Sequence, residues 1–302
     1  MREMMAGLGF PEGPVALADG SLLCVELDGG FLTRVRGGKR EVVADLGGSP
    51  NGAAIGPDGW IYVCNNGGIR FRRREDGLNL PIGGPPGHPD GWIERVHLET
   101  GKVERLYTEC DGVPLYGPND IVFDRRGGFW FTDLGGVTRE AVTRGAIYYA
   151  RTDGSFIRRA AFPLLTPNGV GLSPDGATLY VAETLTARLW AYDVVGEGEL
   201  SKAEFPSPNG GRILYGAGGY ARYDSMAVEE NGNICVATLE SGGVTVISPT
   251  GALVEFRPMP DIYCTNICFG GPDMRTAYLT LSSTGRLVAV EWPRPGLRLL
   301  HG

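Results

Sequence analysis

Histidine is scarce in this 302-residue chain, which contains only His88, His97 and His301. Catalytic or metal sites built mainly from imidazole groups are therefore excluded. The six cysteines include no CxxC motif, and most of them fall inside or beside strand-like apolar runs. This usage predicts buried free thiols rather than zinc ligands or disulfides, and hence a reducing compartment.

Basic charge and long apolar runs are also lacking. Lys and Arg number 28 against 35 Asp and Glu, for a net charge of −7. Nucleic-acid binding requires a basic surface, so we expect no nucleic-acid partner. No stretch reaches the roughly 18 apolar residues of a membrane span, and the N-terminus lacks a signal-peptide core. We therefore predict a soluble, cytoplasmic protein without a membrane partner.

Three common catalytic motifs are missing as well. The chain contains no GxSxG nucleophile elbow, no P-loop and no paired-glycine dinucleotide fingerprint after a strand. Any chemistry must then be carried mostly by carboxylates and amides.

A repeat is the main positive feature. A polar residue recurs six times at a distance of eight positions before a turn, and in five copies the turn residue is glycine. A short apolar stretch separates the two in every copy. The six polar residues are Glu12, Asn51, Asn119, Asn168, Asp224 and Asn266.

The repeat predicts an all-β fold. Each turn joins two apolar strands into a β-hairpin, and a second hairpin follows in most copies. Six units in 302 residues average about 50 residues each, the size of a four-stranded propeller blade. We therefore predict a single domain, residues 1–302, forming a six-bladed β-propeller. Two long segments rich in glycine and proline, 67–90 and 204–223, are predicted to be loops over one face.

The propeller places the repeated polar residues together. The innermost strand of each blade lines the central channel, so residues at one register form a ring around the axis. The second strand runs back antiparallel and ends at the same face. That ending brings Asn65, Asn66, Asp133 and Glu183 to the mouth of the channel.

The chemistry of the ring indicates a metal. Two carboxylates and up to four amide oxygens form an all-oxygen set that suits Ca²⁺, Mg²⁺ or Mn²⁺. Without a cation the carboxylates of Glu12 and Asp224 would repel each other. The alternative for any single member, notably Asn51 or Asn266, is that the side chain hydrogen-bonds nearby backbone at a turn.

With these residues assembled, the chain resembles the senescence marker protein (regucalcin), gluconolactonase and luciferin-regenerating enzyme family of six-bladed propellers. The resemblance spans nearly the whole chain, and the order and spacing of its short motifs make it specific. The motifs are Phe10-Pro11-Glu12-Gly13-Pro14, Gly117-Pro118-Asn119-Asp120, Phe129-Trp130-Phe131-Thr132-Asp133, Pro167-Asn168-Gly169-Val170, Tyr180-Val181-Ala182-Glu183-Thr184 and Thr265-Asn266.

The resemblance implies one divalent metal held by Glu12, Asn168 and Asp224. Asn119 matches a position that contacts substrate in sugar lactonases and binds the metal in phosphotriesterase-like members. Two departures stand out. The family's aspartate is usually followed by glycine, whereas Ser225 follows here, and Gly117 replaces an arginine of regucalcin-like members, which weakens the assignment to gluconolactone or aldonolactone substrates.

Together with this resemblance, the ring residues predict a metal-dependent lactonase. The metal, calcium first and Mg²⁺, Mn²⁺, Zn²⁺ or Fe²⁺ otherwise, would act as a Lewis acid on the carbonyl of a sugar lactone or a related small lactone. Asp224 is the predicted general base, with the roles of nucleophile or ligand alone left open. The predicted substrate contacts are Asn51, Asn65, Asn66, Tyr116, Asn119, Asp133, Glu183 and Asn266.

Two competing hypotheses remain. Phosphotriester hydrolysis could use the same metal, with Asp224 attacking phosphorus. A non-catalytic propeller could instead bind the metal structurally and present a face to a protein partner. The sequence predicts no particular oligomeric state.

Overall fold

The computed structural model describes residues 1–84, 90–138 and 140–301, and it confirms the six-bladed propeller. Each blade is an antiparallel sheet whose principal strands number four, and blade 4 carries one short additional strand. Strands are numbered here in chain order, and in every blade the innermost strand is named first.

Blade 1 consists of β2 (Pro11–Ala16), β3 (Leu22–Glu26), β4 (Phe31–Arg36) and β5 (Lys39–Asp45). Blade 2 consists of β6 (Pro50–Ile55), β7 (Ile61–Asn65), β10 (Trp92–Val96) and β11 (Val103–Tyr107). Blade 3 consists of β14 (Pro118–Phe123), β15 (Gly128–Asp133), β18 (Gly145–Arg151) and β19 (Ile157–Leu164).

Blade 4 consists of β20 (Pro167–Leu172), β21 (Thr178–Glu183), β22 (Arg188–Gly196) and β24 (Arg212–Gly216), with the short β23 (Glu199–Leu200) paired to β22. Blade 5 consists of β25 (Arg222–Val228), β26 (Ile234–Leu239), β27 (Gly243–Ile247) and β28 (Leu253–Pro258). Blade 6 consists of β29 (Cys264–Gly270), β30 (Thr276–Leu281), β31 (Arg286–Glu291) and β1 (Arg2–Met5). A 3₁₀ turn, Ser282–Thr284, follows β30.

The N-terminal strand completes the last blade of the propeller, a feature that the repeat did not predict. β1 is the outermost strand of blade 6, where Arg2 pairs with Ala289 and Glu3 with Val288. The first and last parts of the chain thus share one sheet. This pairing covers the outer edge of β31, which would otherwise present unpaired backbone groups.

The prediction that 204–223 is a loop was wrong in part. Residues Arg212–Gly216 form β24, the fourth strand of blade 4, because their backbone groups pair with Arg188 to Ala191 of β22. The predicted loop 67–90 contains a small hairpin, β8 (Phe71–Arg73) with β9 (Asn79–Pro81), and its residues 85–89 lie outside the described part of the chain. Two further hairpins join Glu109–Cys110 to Val113–Pro114 (β12, β13) and Gly136–Val137 to Val142–Thr143 (β16, β17).

The core lies between neighbouring blades. Between blades 3 and 4, for example, Trp130, Tyr149, Trp190 and Tyr192 are buried together. All six cysteines are free, as predicted, and five of them are buried. Within the described residues no helix is long and apolar enough to cross a bilayer.

The inner hairpins have the predicted turns. The five turn glycines have φ between 74° and 89°, and Met274 has a φ of 55° in the sixth copy. This left-handed backbone conformation is why glycine predominates at the position. Each inner strand carries a register shift, that is, a β-bulge or irregularity, at or beside its ring residue. Bulges re-aim side chains, and they occur often beside active sites.

Candidate active site

The ring residues approach one another because the inner strands pack closely. Gly13, Gly52 and Gly169 each follow a ring residue directly. A Cβ atom on Gly13 would lie 2.5 Å from the carbonyl oxygen of Asn51, and one on Gly52 would lie 2.5 Å from that of Asn119. Backbones can meet at this distance only where a side chain is absent. The glycines therefore bring the ring positions of adjacent blades into contact.

Glu12 and Asn266 form one buried pair of the ring. The Nδ2 group of Asn266 donates to Glu12 Oε2 at 2.8 Å, and the Gly13 backbone N–H donates to the same oxygen at 2.9 Å. Glu12 is only 2% exposed. Burial raises the pKa of Glu12 above its ordinary value, and the hydrogen bonds partly oppose that shift. Asn266 thus orients Glu12, while its own Oδ1 accepts from the Ile267 N–H at 2.8 Å.

Asp224 of blade 5 lies beside Asn168 of blade 4. Burial raises the pKa of Asp224 well above its ordinary value, and the nearby carboxylate of Glu12 raises it further, whereas a hydrogen bond with Asn168 lowers it. The Asn168 amide is held by Thr184, whose Oγ1 accepts from Nδ2 at 3.2 Å, and by Ser225, whose hydroxyl donates to Oδ1 at 3.4 Å. Asp224 is therefore close enough to interact with both the carboxylate of Glu12 and the amide of Asn168.

Asp120 is a third buried carboxylate, which was not among the predicted site residues. Its oxygens accept from the backbone N–H groups of Ile121 at 3.0 Å and Val170 at 3.1 Å. Burial raises its pKa to about 7, and the carboxylate of Glu12 adds to the shift. A signal was present in the sequence, because Asp120 occupies the repeat position at which Gly13, Gly52 and Gly169 stand in other copies.

The residues of the ring fit a divalent cation. Asn119 Oδ1 is buried and has no hydrogen-bond partner among the residues that the structure describes. Within the described ranges, neither Glu12, Asp120 nor Asp224 forms an ion pair with a basic side chain. A hard cation would supply both the missing partner of Asn119 and the neutralising charge. The same described ranges hold no group of three His, Cys, Asp or Glu side chains placed for a metal, since amides make up half of the predicted ligand set.

The ring residue Asn51 is hydrogen-bonded to Asn66, which follows the second strand of the same blade. The Nδ2 group of Asn51 donates to Asn66 Oδ1 at 3.0 Å, and the Nδ2 group of Asn66 donates to the carbonyl oxygen of Pro118 at 2.6 Å. Asn66 thereby joins blade 2 to the start of the inner strand of blade 3. Contact of either amide with substrate stays a prediction.

Three of the predicted substrate contacts also anchor backbone. Asn65, Asp133 and Glu183 end the second strand of their blades, and each stands opposite the proline that begins the inner strand. Each accepts hydrogen bonds from the N–H groups just before that proline: Ser49 to Asn65 at 3.0 Å, Tyr116 and Gly117 to Asp133 at 2.8 and 2.9 Å, and Leu165 to Glu183 at 2.7 Å. Asn65 also donates to Glu94 at 3.0 Å.

Blade 1 shows that these anchors belong to the repeat. Glu26 occupies the same register and accepts from the Gly9 N–H at 2.7 Å, two residues before Pro11. The hydrogen bonds therefore give this set a structural role in fixing the loops that enter the inner strands. Substrate contact by Asn65, Asp133 or Glu183 stays a prediction.

Tyr116 lies at the rim of the mouth. A Cβ on Gly136 of β16 would lie 2.4 Å from the Tyr116 ring, so the ring packs on the backbone of that small hairpin. This contact is typical of a loop-packing aromatic residue, and a role as a wall for substrate is a further prediction.

Most of the chain matches the sequence model of one protein family, and several known proteins are similar to it. The sequence model described as the SMP-30/Gluconolactonase/LRE-like region matches residues 10–283. Lactonase drp35 of Staphylococcus saprophyticus is 28% identical over 244 residues, which cover 80% of this chain and 67% of the relative. Diisopropyl-fluorophosphatase of Loligo vulgaris is 31% identical over 201 residues, which cover 62% of this chain and 61% of the relative.

Solved structures of low identity share the fold. A gluconolactonase from Xanthomonas campestris superposes with a TM-score of 0.74 at 23% identity, covering 96% of this chain and 89% of its own. A calcium-binding regucalcin from Agrobacterium tumefaciens superposes with a TM-score of 0.71 at 18% identity, covering 97% of this chain and 95% of its own.

Proposed function

Because the chain belongs to the SMP-30/gluconolactonase/luciferin-regenerating enzyme-like family, we propose that it is a metal-dependent hydrolase that opens a lactone. The observation that carries the proposal is the buried ring in which the carboxylates of Glu12 and Asp224 accompany the unpartnered Oδ1 of Asn119. Relatives named lactonase and gluconolactonase support the reaction class.

Four residues would hold the metal: Glu12, Asn119, Asn168 and Asp224. Calcium is the first choice, because the donor set is all oxygen and a similar fold belongs to a calcium-binding protein. When bound, the ion would supply Lewis-acid polarisation of the substrate carbonyl. A cation in the ring would also favour the ionised forms of both carboxylates.

Asp224 is the proposed general base. As water adds to the lactone carbonyl carbon, a carboxylate oxygen of Asp224 would accept the proton that the water loses. The ring C–O bond then breaks, and Asp224 returns that proton to the leaving alkoxide oxygen. The product is a hydroxy acid. Asn266 holds Glu12 in position, and Asn168 donates to Asp224, so both amides keep the carboxylates oriented during the reaction.

The proposed substrate contacts remain those at the mouth, and three of them, Asn51, Asn119 and Asn266, are members of the ring itself. The side-chain link between Asn51 and Asn66 would orient the Asn51 amide toward a polar group of the substrate. Gly117 offers no guanidinium at the position where regucalcin-like members have arginine. We therefore expect a smaller or less polar lactone than an aldonolactone.

Phosphotriester hydrolysis is the second candidate. It is favoured by the 31% identity to a diisopropyl-fluorophosphatase. In that reaction a carboxylate oxygen of Asp224 would form a bond to phosphorus as the leaving group departs, and water would then release the phosphorylated aspartate.

The test is acid release, followed with a pH indicator, on chelator-treated protein given sugar lactones, aliphatic lactones or a fluorophosphate, with Ca²⁺, Mg²⁺, Mn²⁺, Zn²⁺ or Fe²⁺ restored singly. We expect one metal to restore lactone hydrolysis and Asp224→Asn to lower kcat/KM by on the order of 10²-fold or more. Asp273→Asn, an exposed turn variant, is the control. Metal binding without turnover of any substrate would instead support a non-catalytic propeller.

A further inference from the structure

A cavity of about 540 Å³ lies along the propeller axis, on the side of the ring toward the hairpin turns. It extends from Gly13, Asp120 and Asn266 at the ring to Gly20 and Gly176 at the turns. The C-terminal segment 297–301 lines its outer end. This axial cavity is in the size range of small-molecule sites, which span about 300 to 1,000 Å³.

The wall of the axial cavity is largely apolar. Val15, Leu17, Ile55, Val122 and Ala227 all line it from inner strands or just beyond them, and all keep part of their surface exposed. The inner strands of a propeller line the central channel, so the exposed surface of these side chains faces that channel. Burying this surface against an aliphatic chain is favourable, because it removes apolar surface from water.

The outer end of the cavity is lined by two arginines and a histidine. Arg125, Arg298 and His301 line it there, whereas the lining carboxylate, Asp120, lies at the ring end. Arg125 donates to the carbonyl oxygen of Pro174 at 2.8 Å and lies near Asp175. In the described part of the chain Arg298 has no ion pair. The ring of His301 packs edge-on against Phe123, with centroids 5.8 Å apart.

His301 also carries an unpartnered polar atom. Its Nε2 is buried and has no hydrogen-bond partner among the described residues. Leaving such an atom unpaired destabilises the free protein. A ligand oxygen at the outer end of the axial cavity would satisfy it.

We propose that the axial cavity binds an amphiphilic anion, an alkyl carboxylate of medium chain length. The aliphatic chain occupies the apolar channel, and the carboxylate accepts hydrogen bonds from His301, Arg125 and Arg298. The opposite orientation is disfavoured because the head group would then face the carboxylate of Asp120. The carboxylate end of this site lies toward the hairpin turns, on the side of the ring away from the mouth, and none of its three head-group contacts takes part in the proposed hydrolysis.

The test is calorimetric titration with decanoate, compared with decanol and with decyltrimethylammonium, which keep the chain but change the head group. We expect decanoate to bind at least tenfold more tightly than either. The double variant Arg125→Glu/Arg298→Glu and the variant His301→Ala should each weaken decanoate binding by tenfold or more. Arg72→Glu, an exposed arginine of β8 outside the cavity lining, is the matched control.

A second readout uses the unmodified protein. Cys268 lines the axial cavity and is partly exposed, whereas the other five cysteines are buried. Decanoate should slow the modification of Cys268 by a small methanethiosulfonate, measured by peptide mass spectrometry. Titrations with and without a chelator separate this site from the metal ring. Equal binding of the three probes, unchanged affinity in both variants, or no protection of Cys268 would each overturn the proposal.

Discussion

At the scale of single residues, this site is governed by three carboxylates that the fold buries together. Burial raises the pKa of Glu12, Asp120 and Asp224, and their mutual repulsion raises the values for Asp120 and Asp224 further. Groups held in this way destabilise the folded protein when they ionise. A cation beside them would offset this cost, so the cost in stability and the proposed metal binding would share one origin.

Replacement of Asp224 by asparagine separates these two effects. Asp224→Asn keeps the size of the side chain but removes one of the repelling charges. We expect the metal-free variant to unfold at a higher denaturant concentration than the wild type at pH 8. The wild type should gain about 2.7 kcal/mol from metal at 100 times Kd, and the variant almost none. Denaturant titrations with and without metal measure both quantities, and an undiminished gain in the variant would contradict metal binding by Asp224.

Asp120 gives a pH-dependent prediction. Its pKa in the folded protein is about 7, above the ordinary value of 3.8. The folded state therefore holds the proton more tightly than the unfolded state, and stability falls as pH rises from about 4 to about 7. Asp120→Asn should lessen this fall in the metal-free protein. The measurement is the difference in unfolding free energy between pH 5 and pH 8. Its change is expected to be on the order of a few kcal/mol.

The comparison between the two pH values matters more than either value alone. The Asp120→Asn variant would lose one backbone hydrogen bond at both pH values, since the amide nitrogen of the new side chain cannot accept. Much of that loss is common to both values, although the bond to the ionised carboxylate at pH 8 is the stronger one. An identical pH slope in variant and wild type would show that Asp120 does not titrate in this range.

At the scale of elements, two repeated structural features determine the geometry of the mouth. The irregular pairing of each inner strand occurs at or beside its ring residue. The residue that ends the second strand, as in Glu26 or Glu183, then fixes the loop leading into the inner strand. The first device directs side chains toward the axis, and the second holds the backbone from which they project.

Glu183 allows the anchoring role to be measured. It accepts hydrogen bonds from the Leu165 N–H and the Thr186 hydroxyl, both at 2.7 Å. Glu183→Ala leaves those donors without their acceptor, so we expect a loss of about 1–3 kcal/mol in unfolding free energy. If anchoring is its main role, KM should change less than twofold in the folded protein. Glu204→Ala, in an exposed segment, is the control. A large rise in KM with unchanged stability would favour the substrate-binding hypothesis.

At the scale of the whole molecule, β1 ties the N-terminal end of the chain to the last blade. Its pairing with β31 joins the two ends of the chain in blade 6. A variant lacking residues 1–6 would expose the outer edge of β31 and remove the link between the two ends of the chain. We expect a clear fall in the unfolding midpoint and a greater tendency to aggregate. Calorimetry and light scattering measure these effects, with Arg2→Ala as a control that keeps the strand. An unchanged midpoint would show that blade 6 is stable as a three-stranded sheet.

The local pattern of residues was enough to specify the architecture and the ring. The eight-residue spacing lies within one hairpin, because it runs from a residue of the inner strand to the turn of positive φ that follows that strand. Six copies of that spacing specify six blades and place Glu12, Asn119, Asn168 and Asp224 at one register. The turn conformations and the four-stranded blades confirm this part of the prediction.

Three other features became visible only in the folded chain: the pairing of β1 with β31, the strand within 204–223, and the burial of Asp120 with the ring. The first two depend on contacts between residues far apart in the chain, which a local pattern does not encode. Asp120 stands at a position of the repeat, but its burial beside Glu12 depends on the assembled blades. The same reason applies to Asn65, Asp133 and Glu183. Their position at the mouth followed from the repeat, but their hydrogen-bond partners depend on loops that pack only when the blades assemble.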